Sequence, residues 1–124
     1  MLLDTDLMVD ILRRHPPAVA WMNGLGATSI GLPGLVAMEL IQGCRNTAEQ
    51  RTLERLLQRF TLHWPTQTDC RRAFGDFASY RLSHNLGLLD SLIGATSLRL
   101  SEPLATFNVK HYGVISGLMT LQPY

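Results

Sequence analysis

Leu2-Leu3-Asp4-Thr5-Asp6-Leu7-Met8-Val9-Asp10-Ile11-Leu12 joins two hydrophobic patterns through one acidic junction. Leu2-Leu3 is a short apolar run of the kind that fills a buried strand. From Asp6 onward, Leu7, Met8, Ile11 and Leu12 fall on one face of a helix. His15-Pro16-Pro17 stops that helix, because a proline ring in a helix interior removes a donor and clashes with the preceding turn. The reading is strand, acid, helix.

The alternation continues away from this segment. A second helix is predicted from Ala18 to Leu25, with Val19, Trp21, Met22 and Leu25 inward, before the break at Gly24 to Gly26. Ile30 to Leu32 reads as a buried strand. Pro33 suits the first turn of a helix that runs through Val36, Leu40 and Ile41 and ends at Gly43, with Glu39 inside it. Thr47 and Gln50 have capping-box spacing and open a helix carrying Leu53, Leu56, Leu57 and Phe60. Thr61 to Trp64 reads as a third strand. Thr66 and Asp69 repeat the capping spacing and start a long helix through Phe74, Phe77, Ala78 and Leu82, closing near His84-Asn85. A largely buried helix follows from about Asp90 to Leu100, and Leu104 to Phe107 and Leu118 to Leu121 read as the last two strands.

Short apolar strands alternating with helices imply an α/β fold: a small, mostly parallel sheet of about five strands with helices on both faces. Sites in such folds lie at the C-terminal ends of strands. The 124 residues suit one domain spanning 1–124, and no repeat or linker divides them.

A composition of 46% hydrophobic and 17% charged residues excludes a disordered chain. The net charge of +1 gives no global signal for nucleic acid, so any such argument must come from a site. Lys110 is the only lysine among 11 basic residues, and the guanidinium forks of the others suit phosphate. Cys44 and Cys70 lack zinc or disulfide spacing and read as reduced, partly buried thiols. Without a basic leader or a membrane-length apolar run, the expected location is the cytoplasm.

Four polar residues stand where a solvated side chain should not. Asp4 directly follows the first strand, Glu39 lies in an apolar helix, Asp90 sits in Leu88-Leu89-Asp90-Ser91-Leu92-Ile93, and Asn108 follows the strand that ends at Phe107. Each has an ordinary explanation. Asp4 and Asp90 suit helix caps, Glu39 can reach solvent, and Asn is common after strands. As a set, two or three carboxylates and an amide oxygen make a hard-oxygen site, which fits Mg²⁺ or Mn²⁺ best.

These segments resemble the PIN-domain family along the whole chain, and in order. The family's opening strand and Asp-Thr-Asn are matched by Leu2-Leu3-Asp4-Thr5-Asp6-Leu7, and its glutamate-bearing helix by Ala37-Met38-Glu39-Leu40. Its aspartate at a helix start is matched by Leu89-Asp90-Ser91-Leu92-Ile93-Gly94-Ala95-Thr96. Its final strand with Thr and Asp or Asn is matched by Leu104-Ala105-Thr106-Phe107-Asn108-Val109-Lys110-His111-Tyr112.

The resemblance implies a three-layer α/β/α sandwich and a Mg²⁺- or Mn²⁺-dependent endoribonuclease, similar to the toxin half of a VapC-like toxin–antitoxin pair. It implies Asp4, Glu39 and Asp90 as acidic metal ligands and Asn108 as the fourth catalytic position. Thr5, Asp6 and Thr106 become supporting residues. Asn108 departs from members with four acids, since an amide brings no negative charge. By the same resemblance the partners are RNA, a small antitoxin and a second copy of the chain, with no membrane. Trp21, Met22 and Trp64 are read either as apolar contact surface or as core. Arg45, Arg51, Arg55 and Arg59 mark the helix near Thr47, the last three on one stripe. They are read either as a solvated face or as contacts to RNA phosphates.

Two other functions fit parts of the pattern. Asp4-Thr5-Asp6 resembles the Asp-x-Asp of haloacid-dehalogenase-like phosphatases, with Asp4 as nucleophile and Lys110 as phosphate-binding base. A catalytically degenerate PIN-like module that only binds RNA or protein is the alternative motivated by Asn108.

Overall fold

In the computed structural model, which describes residues 1–124, the opening Leu2-Leu3 forms the middle strand of a parallel sheet. The strands are β1 (Leu2–Leu3), β2 (Gly31–Pro33), β3 (Thr61–His63), β4 (Leu104–Ala105) and β5 (Thr120–Leu121), in spatial order β3-β2-β1-β4-β5. Every neighbouring pair is parallel, with Leu2 opposite both Gly31 and Leu104 and Leu3 opposite Ala105. Leu2, Leu3, Leu32 and Leu104 are at most 1% exposed, as strands covered on both faces require.

The helices are α1 (Thr5–Leu12), α2 (Pro16–Gly24), α3 (Gly34–Gln42), α4 (Thr47–Leu57), α5 (Gln67–His84), α6 (Leu88–Leu100) and α7 (Val109–Tyr112). The chain moves from β1 through β2 to β3 on one side, then crosses back to β4 and continues to β5 on the other. Right-handed crossovers therefore put α1 to α4 over one face and α5 to α7 over the other, giving the three-layer sandwich. The first group packs as α1 on α2 and α3, and α3 on α4. The second packs as α5 and α7 on α6. The connections diverge between the neighbours β1 and β4, the switch point at which α/β sheets open a crevice beyond their strand ends.

Several expectations needed local correction. Pro16 and Pro17 do not merely end α1; they form the first turn of α2, where a missing N–H costs nothing. That helix buries Ala18 alone. Val19 is 37% exposed, while Trp21 and Met22 lie partly buried against the core. Pro33 is the N-cap of α3, one residue before the first turn. The cap of α4 is Asn46, whose carbonyl Oδ1 accepts from Glu49 N at 2.9 Å, so the predicted Thr47–Gln50 box lies one residue too late. The Thr66–Asp69 box forms as expected.

The last strands are two residues each; beyond β4, Thr106 N still donates to Leu121 O, while the Thr106 hydroxyl and Phe107 N bond Asp4 and Asp6. The single-turn α7 is too short to leave a periodic pattern. Phe74 and Leu82 point outward from α5, 77% and 88% exposed. Both cysteines are free, and Cys70 is exposed rather than partly buried. No helix is long and apolar enough to cross a membrane.

Candidate active site

Each expected acid reaches the crevice through the element that carries it. Asp4 extends β1 and caps α1: its Oδ1 accepts from Thr5 N at 2.8 Å, while its Oδ2 accepts from the Thr106 hydroxyl at 2.7 Å. Capping and convergence on the site are thus both true of this residue. Asp90 does not cap α6, because Gly87 holds that position and Ser91 bonds Leu88 O. Its carboxylate instead turns back toward β4, accepting from Asn108 Nδ2 at 3.2 Å and from the Tyr112 hydroxyl at 3.3 Å. Glu39 is neither free in solvent nor alone, since its Oε1 accepts from the Thr5 hydroxyl at 3.1 Å.

Asp6 fastens the two halves together. Its Oδ1 accepts from Leu7 N at 2.6 Å and its Oδ2 from Phe107 N at 3.0 Å, tying the start of α1 to the end of β4 across 101 residues. Thr106 Oγ1 donates to Asp4 and accepts from Asn108 N at 2.9 Å, so one hydroxyl orients an acid and a loop together. Tyr124 closes the outer side, with its ring 5.0 Å from that of Phe107 and its hydroxyl donating to Asp10 at 2.9 Å.

The result is a cleft of about 450 Å³ lined by Asp4, Thr5, Asp6, Glu39, Asp90, Phe107 and Asn108. Thr106 lies directly beneath it, fully buried. No cation lines the cleft. Burial and the neighbouring carboxylates raise Asp4 to about 6, above its ordinary 3.8. Desolvation is also the main cause that raises Asp6, Glu39 and Asp90. These are the conditions under which a divalent cation is retained: hard oxygen donors, excess negative charge and no competing ammonium or guanidinium. No three His, Cys, Asp or Glu side chains stand close enough to form a ready-made cage, so a cation held here would take part of its shell from water.

The arginines lie elsewhere. Arg45 is bound to Glu49 at 2.8 Å, Arg51 and Arg55 line a separate exposed hollow with Glu54 and Gln58, and Arg59 follows the end of α4. None lines the acidic cleft. Lys110 is exposed on α7 and also absent from it, which removes the base required by the phosphatase reading. The residue that sequence reasoning missed is Tyr112. It follows Lys110-His111 on a one-turn helix and is fully buried, so it packs as a core aromatic and nothing in the sequence announces its hydroxyl.

The elevated Asp4 couples the site to stability. A carboxyl whose folded value lies above its unfolded one stabilises the fold while protonated, and this contribution is lost as pH rises through the folded value. Holding Asp4 ionised therefore costs the metal-free protein on the order of 3 kcal/mol at neutral pH. The expected result is that the urea midpoint of metal-free wild type falls between about pH 4 and 7 relative to Asp4→Asn. Parallel pH curves for the two proteins would refute the coupling.

The PIN domain family model matches residues 1–114. Ribonuclease VapC10 of Mycobacterium tuberculosis is 36% identical over 120 residues, covering 95% of this chain and 90% of that protein. Ribonuclease VapC19 of the same organism is 34% identical over 122 residues, covering 94% and 95%. In fold, the chain is similar to one in VapBC-1 from nontypeable Haemophilus influenzae, with a TM-score of 0.78 at 23% identity over 98% of this chain and 96% of that one. A toxin–antitoxin complex from Klebsiella pneumoniae contains a chain with a TM-score of 0.78 at 22% identity, covering 99% and 97%.

Proposed function

This chain belongs to the PIN-domain family, and from that premise we propose that residues 1–124 act as one metal-dependent endoribonuclease domain, the toxin of a toxin–antitoxin pair. The observation that carries this reading is the meeting of Asp4, Glu39, Asp90 and Asn108, drawn from four separate segments, in one cleft without a countercharge. Asp4, Glu39 and Asp90 would hold Mg²⁺ or Mn²⁺, with Asn108 as an amide neighbour. When bound, the cation supplies what the chain lacks: positive charge against the phosphoryl oxygens and a means of ionising water near neutral pH.

The protein's own groups set the geometry. Thr106 and Thr5 N fix the Asp4 carboxylate, the Thr5 hydroxyl holds Glu39, and Asp6 anchors the backbone that carries Asn108. Water is the nucleophile in this reading. Its oxygen bonds to phosphorus as the bond to the 3′ oxygen breaks, and a proton passes to that leaving oxygen. The products carry a 5′-phosphate and a 3′-hydroxyl, and the RNA 2′-hydroxyl takes no part.

Arg51, Arg55 and Arg59 are the proposed contacts to flanking phosphates, supported by their exposure and by the absence of an ion pair on any of them; Glu54 shares the hollow of Arg51 and Arg55, and Arg45 is engaged by Glu49. The antitoxin is the proposed regulator. The surface that supports it is an apolar groove of about 330 Å³ between α3, α4 and β3, walled by Met38, Ile41, Leu57, Phe60, Leu62 and the half-exposed Trp64. An amphipathic segment with acidic flanks complements this groove and the arginines beside it. A homodimer in the cytoplasm completes the proposal, supported by the exposed Phe74 and Leu82 on α5.

The test is cleavage of total RNA by the chain freed of co-purified protein, in Mn²⁺ and in EDTA. Discrete products with 5′-phosphate ends are expected in Mn²⁺ alone, and a substrate lacking the scissile 2′-hydroxyl should still be cut. Identical lanes, or full resistance of the 2′-deoxy substrate, would defeat the reading.

A further inference from the structure

Asp90 is held by donors on both oxygens. Asn108 Nδ2 reaches its Oδ2 at 3.2 Å, and the Tyr112 hydroxyl reaches its Oδ1 at 3.3 Å. Its third side is backbone: a Cβ built on Gly87 would lie 3.2 Å from Oδ2, so the carboxylate folds down against the residue that caps α6. The two donors come from one short segment, since Asn108 caps α7 and Tyr112 is its last residue, with Tyr112 N donating to Asn108 O at 3.2 Å. The Tyr112 ring belongs to the hydrophobic core, and its side chain is walled from the cleft it serves.

A phenol buried this deeply beside carboxylates has few states open to it. A phenol is protonated at neutral pH by its ordinary value alone, and beside the carboxylates of Asp90 and Asp4 its hydroxyl can only donate. With the ring fixed by packing, its single proton points toward acids rather than water. A hydrogen bond to an ionised acceptor is stronger than a neutral one and fixes direction as well as distance.

We propose that Tyr112 is a positioning residue for Asp90: its buried hydroxyl, acting with the Asn108 amide, holds the carboxylate so that its remaining lone pairs face the cleft. Tyr112 itself touches neither cation nor RNA. The consequence for cation affinity rests on the metal-dependent reading above, while the tether between Tyr112 and Asp90 does not.

Two measurements without RNA keep these apart. The first is a double-mutant cycle on urea unfolding of the metal-free chain, using Tyr112→Phe, Asp90→Ala and the pair. Loss of the hydroxyl should change the unfolding constant by roughly tenfold when Asp90 is present and by clearly less when it is Ala, the remainder being what the hydroxyl retains from Asp4. Equal effects in both backgrounds would mean that the hydroxyl serves the core alone, and would overturn the proposal. The second is Mn²⁺ titration by calorimetry. Tyr112→Phe keeps the ring and should weaken affinity about five- to tenfold. Unchanged affinity in a variant whose cycle shows coupling would overturn the positioning role. If wild type itself binds no Mn²⁺ while the coupling persists, the metal reading fails and the tether stands.

Discussion

Asp90→Asn is expected to slow RNA cleavage in Mn²⁺ by on the order of a thousandfold with the fold retained. The substitution keeps the size and shape of the side chain and removes one negative charge from a cleft that has no cation of its own. Metal-centred charge stabilisation of a phosphoryl transition state is worth several kcal/mol, and each 1.36 kcal/mol is about tenfold in rate. Weakening the hold on the cation therefore forfeits roughly three powers of ten. Folding should not suffer, because burial, the largest influence on Asp90, disfavours its ionised form and the amide has the same size and shape. Single-turnover cleavage with saturating enzyme, beside circular dichroism of both proteins, measures the two quantities separately. A rate within tenfold of wild type would remove Asp90 from the metal site.

The largest effect on stability is expected far from the cleft, at Arg99→Ala. Asp69 is 4% exposed, and its Oδ2 accepts from Arg99 Nε at 2.7 Å and from Thr66 N at 2.9 Å. Arg99 also donates from Nη2 to Trp64 O at 3.2 Å. One guanidinium thus joins the last turn of α6, the first turn of α5 and the exit from β3. Removing it strands a buried carboxylate, a loss of about 3 kcal/mol at the lower end of the range for broken buried pairs, since Arg99 is partly solvated. For a domain of this size the melting temperature should fall by roughly 10 °C. Adding Asp69→Asn should recover part of the loss by removing the stranded charge. A fall of less than about 3 °C by calorimetry would show that water replaces Arg99 without cost.

Much of the candidate site was legible in the chain, because its acids interrupt patterns that would otherwise be apolar. Asp4 ends a buried strand, Glu39 stands beside Leu40 in an apolar helix, and Asp90 splits a run of leucines. A carboxylate in such a place needs a reason, and the reasons met in one cleft. Asp6 and Thr106 were legible only as neighbours of the motif. Their bonds to Phe107 N and Asp4 join residues 101 and 102 positions apart, a closure that no local pattern encodes. The displaced α4 cap has a similar cause. Asn46 and Thr47 are both good caps, and the extended backbone at Asn46 decides between them.

By itself, the order of apolar runs, acids and helix boundaries determined an α/β fold with a parallel sheet, and it marked the acidic residues. Those are local properties: period, propensity and the cost of burying charge act within a few residues. Only the tertiary structure decided which side each acid faces, that Asp90 turns from its own helix toward Asn108, and that Tyr112 lends a proton to the site from within the core. Direction, unlike placement in a helix, depends on what packs opposite. For Asp90 the facing residues arrive 18 and 22 positions later along the chain, just beyond the strand β4 that pairs with β1.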